Sequence, residues 1–156
     1  MTSALAILTL CIGLQGEPPL PLSALPPAGP FAATTGNSGT APLQTFQLRW
    51  LHSVEKTPWE EHWSVTPQGL QLGLVRIGGS GAGMEPPEDA RLVNGGFEYS
   101  GSTRPPVPQL LLPDSAFTGP LNLCRDDGTG CLPLHTLAAR NSGDSRPILL
   151  SACFRE

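Results

Sequence analysis

The chain has 156 residues, with 18 glycines, 18 prolines, 14% charged residues and a net charge of −4. That length suits one domain, and the glycine and proline content favours short extended segments divided by turns over long helices. An acidic balance without any basic cluster excludes the electrostatic footprint of a nucleic-acid binder.

Residues 1–16 form an uncharged apolar run of signal-peptide length, too short to span a bilayer as a helix. Export as a signal peptide or short membrane leader is the natural reading, although no Lys or Arg precedes the run. A lipoprotein would carry its lipid on Cys11, yet Leu10 stands where a small residue is usual. The remaining alternative is a short buried apolar segment of a cytosolic protein. Residues 17–43 are dominated by Pro, Gly, Ala, Ser and Thr, with Phe31 the only aromatic. Such a stretch has too little apolar area to offset the entropy of ordering and reads as a disordered linker. With the leader retained, this semi-extended tether would hold the domain away from a membrane surface.

A β-rich domain is expected over residues 44–156. Residues 45–54, 59–66 and 70–77 read as three successive strands, and Pro67 and Gly69 suit a hairpin turn between the last two. In the first strand Phe46, Leu48, Trp50, His52 and Val54 share one face, the expected core face. Asn94-Gly95 between strand-like residues signals a second hairpin within 91–99. Residues 109–112, 121–124 and 147–154 add short extended candidates, while 133–140 offers at most two turns of helix. The expected architecture is all-β: a small antiparallel barrel or sandwich of short strands, preceded by the apolar leader and the tether.

Cys124 and Cys131 bracket a polar turn that brings their sulfurs together, and a disulfide fits export. A metal site of Cys124, Cys131 and His135 would lack a fourth ligand at a familiar spacing. Cys153 is left over if Cys11 departs with the leader and then reads as a buried thiol, or as a partner of one of the other two.

The most informative stretch runs from Trp50 to Trp63 and resumes at Gly78-Gly-Ser-Gly-Ala-Gly-Met84. His52-Ser53-Val54-Glu55, then Thr57-Pro58, Glu61, Trp63 and finally Gly81-Ala82-Gly83-Met84 resemble the pattern of a small family of exported domains of unknown function. That family accompanies TAXI-type TRAP transporters, the tripartite ATP-independent periplasmic carriers with fused membrane subunits. The likeness covers about a quarter of the chain; the cysteine hairpin and the Pro-rich stretch depart from the pattern. It implies a periplasmic accessory or interaction domain whose partner is the TRAP membrane subunit or the TAXI solute-binding protein.

In physical terms, Glu55 and Glu61 flank a tight Lys-Thr-Pro turn, so their carboxylates are expected to converge near His52 or Arg49. Three roles compete for that cluster: a docking site for an Arg or amide of a partner, a hard-cation site, and plain satisfaction of buried polar groups. Contact residues on the docking reading are His52, Ser53, Glu55, Glu61, Trp63, Gly81, Gly83 and Met84. The glycine run lacks the G-x-G-x-x-G spacing and following helix of a dinucleotide site, and Ala82 breaks a nucleophile elbow around Ser80. It reads as a loop or bulge, with a phosphate nest as the nonspecific alternative. Neither Ser53 nor Ser80 stands at a spacing that asks for catalysis with His52, His62 or His135. No enzyme activity, cofactor or metal is therefore expected. A second functional reading is a small exported ligand-binding β-barrel, its mouth lined by Trp50, Trp59, Trp63 and the glycine loop.

Overall fold

The computed structural model describes residues 5–22, 42–81, 85–113 and 119–156. The expected tether falls mostly on 23–41, outside the described residues. The chain forms β1 (Ile7–Leu14), β2 (Leu20–Pro21), β3 (Thr45–Leu51), β4 (Pro58–Thr66), β5 (Gly69–Gly78), β6 (Arg91–Val93), β7 (Gly96–Ser100), β8 (Gln109–Leu112), β9 (Asn122–Cys124), β10 (Leu132–Pro133), the one-turn helix α1 (Leu134–Leu137) and β11 (Ile148–Arg155). These strands build two antiparallel sheets, one ordered β2-β1-β11-β8 and the other β10-β9-β3-β4-β5-β7-β6. The all-β expectation holds in its sandwich form; neither sheet closes into a barrel.

A single core joins the sheets. Leu10, Ile12, Ile148 and Leu150 from the smaller one pack with Phe46, Leu48, Val65, Leu70 and Leu123 from the larger. Alternation along β3 buries Phe46 and Leu48, as its period-2 pattern requires, but the same face opens to solvent further on, where Trp50 and His52 are half-buried and Val54 is exposed. In β5 the pairing register shifts between Glu61 and Trp63, so that Glu61 opposes Val75 while Trp63 opposes Leu72. Two residues, Gly73 and Leu74, thus face one on β4, a bulge that changes the parity of the strand. Its effect is that Leu70 and Leu72 before it and Val75 and Ile77 after it all reach the core. The Asn94-Gly95 hairpin forms as expected, with both residues at positive φ.

The N-terminal apolar run is corrected by the structure. Ile7–Leu14, expected within a leader separate from the domain, is strand β1, paired along its length with β11. Thr9, Leu10, Cys11 and Ile12 are all buried, so both faces of the strand are covered. Burial on both faces yields a continuous apolar run instead of alternation, which is why the segment resembles the core of a signal peptide. Cys153 is corrected with it: instead of a leftover thiol it forms a disulfide with Cys11 on the neighbouring strand. Cys124 and Cys131 form the second disulfide, across the β9–β10 turn as expected, and this withdraws their thiolates from the alternative metal set with His135.

Candidate functional site

One end of the larger sheet gathers the motif. There the β3–β4 loop (52–57), the loop after β5 and the β6–β7 turn lie side by side, because β3, β4, β5, β7 and β6 are successive neighbours. The β3–β4 loop is tied by its own backbone: the His52 N–H donates to the Thr57 carbonyl at 2.8 Å, and the Lys56 N–H to the His52 carbonyl at 3.0 Å. Lys56 takes a positive φ of 55. The Glu55 N–H donates to His52 Nδ1 at 3.3 Å, and the His52 ring stacks on Trp59 at 4.9 Å, which in turn leans on Trp50 at 5.8 Å. His52 is thereby held from both sides, as a loop pivot.

Glu55 then reaches across to the glycine loop, where the Ser80 hydroxyl donates to its carboxylate. Gly79, at a φ of +75, has no room for a side chain: a Cβ there would stand 2.8 Å from Glu55 Oε2 and 3.0 Å from the Thr57 methyl. The clamp therefore requires glycine at this position for both space and backbone conformation. Beneath it, Thr57 Oγ1 and Trp59 Nε1 are buried without a hydrogen-bond partner among the described residues. Buried polar groups of that kind are uncommon outside functional or strained places.

The expected convergence of Glu55 and Glu61 is overturned. Glu61 lies on the core-side face of β4, two residues beyond Trp59 and opposite Leu48 and Val75, and accepts a hydrogen bond from Trp63 Nε1 at 2.9 Å. Burial pushes its carboxyl pKa upward, opposed by the Trp63 hydrogen bond and by the charge of Arg104. Arg104 lies over the Tyr99 ring at 5.8 Å. Trp63 is likewise a core residue, 8% exposed, and its side chain is not available to a partner. With the two carboxylates apart, the hard-cation reading loses its paired ligands. Arg49 binds Glu60 instead, at 2.8 Å. Among the remaining expected contact residues, Ser53 is exposed and Gly81 is buried at the end of the glycine loop, while Gly83 and Met84 lie outside the described residues.

The raised pKa of Glu61 has a testable consequence. Its ionised form opposes folding above the raised value, and the penalty disappears below the ordinary value of 4.5, where the carboxyl is neutral in both folded and unfolded chains. Glu61→Gln keeps an acceptor for Trp63, so its melting temperature should exceed the parent's at pH 8, with the gap closing as pH falls toward 4.5. Thermal unfolding of both proteins across this range checks it; a gap independent of pH would rule out the desolvated-carboxylate account.

Sequence reasoning missed the members that make the clamp, Gly79 and Ser80, and the stacking role of Trp59. The aromatic at position 59 directly after Thr-Pro was the only available signal for the last. Residues 46–132, more than half of the chain, match the family described as a domain of unknown function, DUF1850. The chain belongs to the DUF1850 family. The matched segment begins in β3 and ends at β10, so it takes in the loop clamp, the glycine loop and the cysteine hairpin, whereas β1 and β11 lie outside it. No curated protein and no solved structure matches the chain. The two disulfides of this DUF1850 protein suggest an oxidising, extracellular environment. Among the described residues no helix is long and apolar enough to cross a membrane.

Proposed function

We propose that this DUF1850 domain is a periplasmic interaction module of a TRAP-type (TAXI) transport system, docking through the β3–β4 loop and the adjoining glycine loop. The observation that carries the interaction reading is a rigid loop with an apolar tip: clamped through His52, Glu55 and Ser80, it leaves Val54 75% exposed. Exposed apolar side chains on a pre-ordered loop lose little entropy on binding and suit a protein interface. The link to a TRAP carrier, through its membrane subunit or the TAXI binding protein, rests on the motif resemblance of residues 52–63 and 81–84. The disulfides agree with a periplasmic address.

Capture of the transporter components by the intact chain tests this. Val54→Asp should lower retention about tenfold or more, since it replaces an apolar contact with a charge that must be desolvated, and should leave the circular dichroism unchanged. Retention by the folded variant equal to the parent's would reject the loop as the contact, and no retention by the parent would reject the transport reading.

A second reading, binding of a small ligand, draws on a cleft of about 290 Å³ between Trp50, Pro58, Trp59, Pro120 and Asn122. Unlike the barrel mouth expected from sequence, it lies on an open sheet, and Trp63 takes no part in it. Quenching of tryptophan fluorescence by a bound ligand, abolished in Trp59→Leu, would favour it.

A further inference from the structure

The solvent face of the larger sheet carries a row of charges that no motif announced. Arg49 on β3 is in register with Glu60 on β4, Glu60 with Arg76 on β5, Arg76 with Glu98 on β7, and Glu98 with Arg91 on β6. Arg49 donates to Glu60 at 2.8 Å; Arg76 bridges Glu60 at 3.3 Å and Glu98 at 3.0 Å; Arg91 reaches Glu98 at 3.0 Å. His62 also sits on Glu60. The two signs are not equally presented to solvent. The carboxylates of Glu60 and Glu98 are sunk, at 15% and 16% exposure, while Arg49, Arg76 and Arg91 stand above them at 40%, 53% and 75%.

The carboxylates therefore act as struts, and the surface an approaching molecule meets is guanidinium. Among the described residues each arginine keeps nitrogens outside these bonds: Nη1 of Arg49, Nη2 of Arg76, and Nε and Nη1 of Arg91. Arg49 is further fixed by donating from Nε to Gln47 Oε1 at 2.9 Å, and Gln47 in turn donates to the Asp126 carbonyl of the disulfide turn at 2.6 Å. The cysteine hairpin thus anchors one end of the row.

Beside the arginines the sheet is notched. The next row runs Leu51, Pro58, Gly78, Gly96 and Val93, and its two central members have no side chains. A Cβ on Gly96 would strike the Ile77 carbonyl, and one on Gly78 would stand 2.9 Å from the Pro58 carbonyl. The floor is therefore bare backbone, with Pro58 on one side, Val93 on the other and Glu60, Arg76 and Glu98 along the back, enclosing about 410 Å³.

We infer that this face binds an acidic, extended peptide segment of a protein partner, laid across the strands. Strands are spaced by about 4.8 Å, so arginines on alternate strands stand roughly 10 Å apart and the row spans roughly 19 Å. An extended chain in the polyproline II form has about three residues per turn and rises about 3.1 Å per residue, so carboxylates at every third position face the same side and repeat at roughly 9 Å, close to the arginine spacing. Each can take charge-assisted hydrogen bonds from the free nitrogens of one arginine, while a small apolar side chain enters the glycine notch. A small anion would engage a single arginine instead of the row. The surface is separate from the loop tip and stands whether or not the partner is a transporter.

The test uses the intact disulfide-bonded chain and a labelled extended peptide with Asp at every third position and Ala or Val between, titrated by fluorescence anisotropy at low salt. Binding should be at least about tenfold tighter than for the same peptide with Asn in place of Asp, and should weaken as salt rises. Arg91→Gln, at the most exposed position, should weaken it about tenfold with the fold unchanged by circular dichroism; Arg76→Gln should weaken it further. Val54→Asp should bind as the parent does, which separates this surface from the transporter docking tip. Equal binding of the Asn peptide, undiminished binding by folded Arg91→Gln, or inorganic phosphate competing as well as the peptide would each overturn the inference.

Discussion

A chain beginning at Glu17, without β1, is expected not to fold. Leu10, Ile12 and Leu14 are core residues, and burial of each contributes about 1.5–3 kcal/mol. Their sum, roughly 5–9 kcal/mol, is comparable to the whole stability of a typical domain, about 5–15 kcal/mol. The truncation also removes the Cys11–Cys153 bond and leaves one side of β11 without its partner strand, a bare edge prone to aggregation. Far-UV circular dichroism, urea unfolding and size-exclusion chromatography read the outcome. A soluble monomer that still unfolds cooperatively would show β1 to be dispensable and would restore the view of residues 1–16 as a segment apart from the domain.

The second large effect is an unequal one between the two disulfides. Cys11–Cys153 spans a sequence separation of 142 and Cys124–Cys131 one of 7. Loop-closure entropy assigns them about 5 and about 2.5 kcal/mol respectively. Replacing the first pair by serines should lower the melting temperature by roughly 10–20 °C, and replacing the second by roughly half as much. Thermal unfolding of the two double variants beside the parent decides. If the Cys124→Ser/Cys131→Ser protein proves the weaker, the chain-entropy account of the terminal staple fails, and the short bridge owes its effect to the native contacts that its turn makes with Gln47 and Arg49.

How much of this could be read in advance differs from one element to the next. β3, β4 and β5 were legible because each has a compact run of strand-forming residues with a turn signal nearby, and Asn94-Gly95 fixed its hairpin through local backbone preference alone. The β5 bulge was not legible: 70, 72, 75 and 77 do not share a parity, and only pairing with β4 places the extra residue within Gly73-Leu74. The candidate site was half legible. His52 and Glu55 were found from their motif, but Ser80 lies 25 residues from Glu55, and no local pattern announces that contact. Glu61 was expected beside Glu55 because both flank one turn, whereas its partners, Trp63 and Arg104, come from further along the chain.

By itself, the sequence determined what depends on neighbours along the chain: an all-β class, most strand positions, the turn chemistry, and the short disulfide between Cys124 and Cys131. The tertiary structure alone decided what depends on partners remote in sequence. It made an apolar N-terminal run into a doubly buried strand bonded to the C-terminus, separated Glu55 from Glu61, and aligned arginines from three strands into one row. The physical reason is that periodicity and turn preference are local properties, whereas burial on a second face and side-chain alignment across a sheet exist only once strands have paired in register.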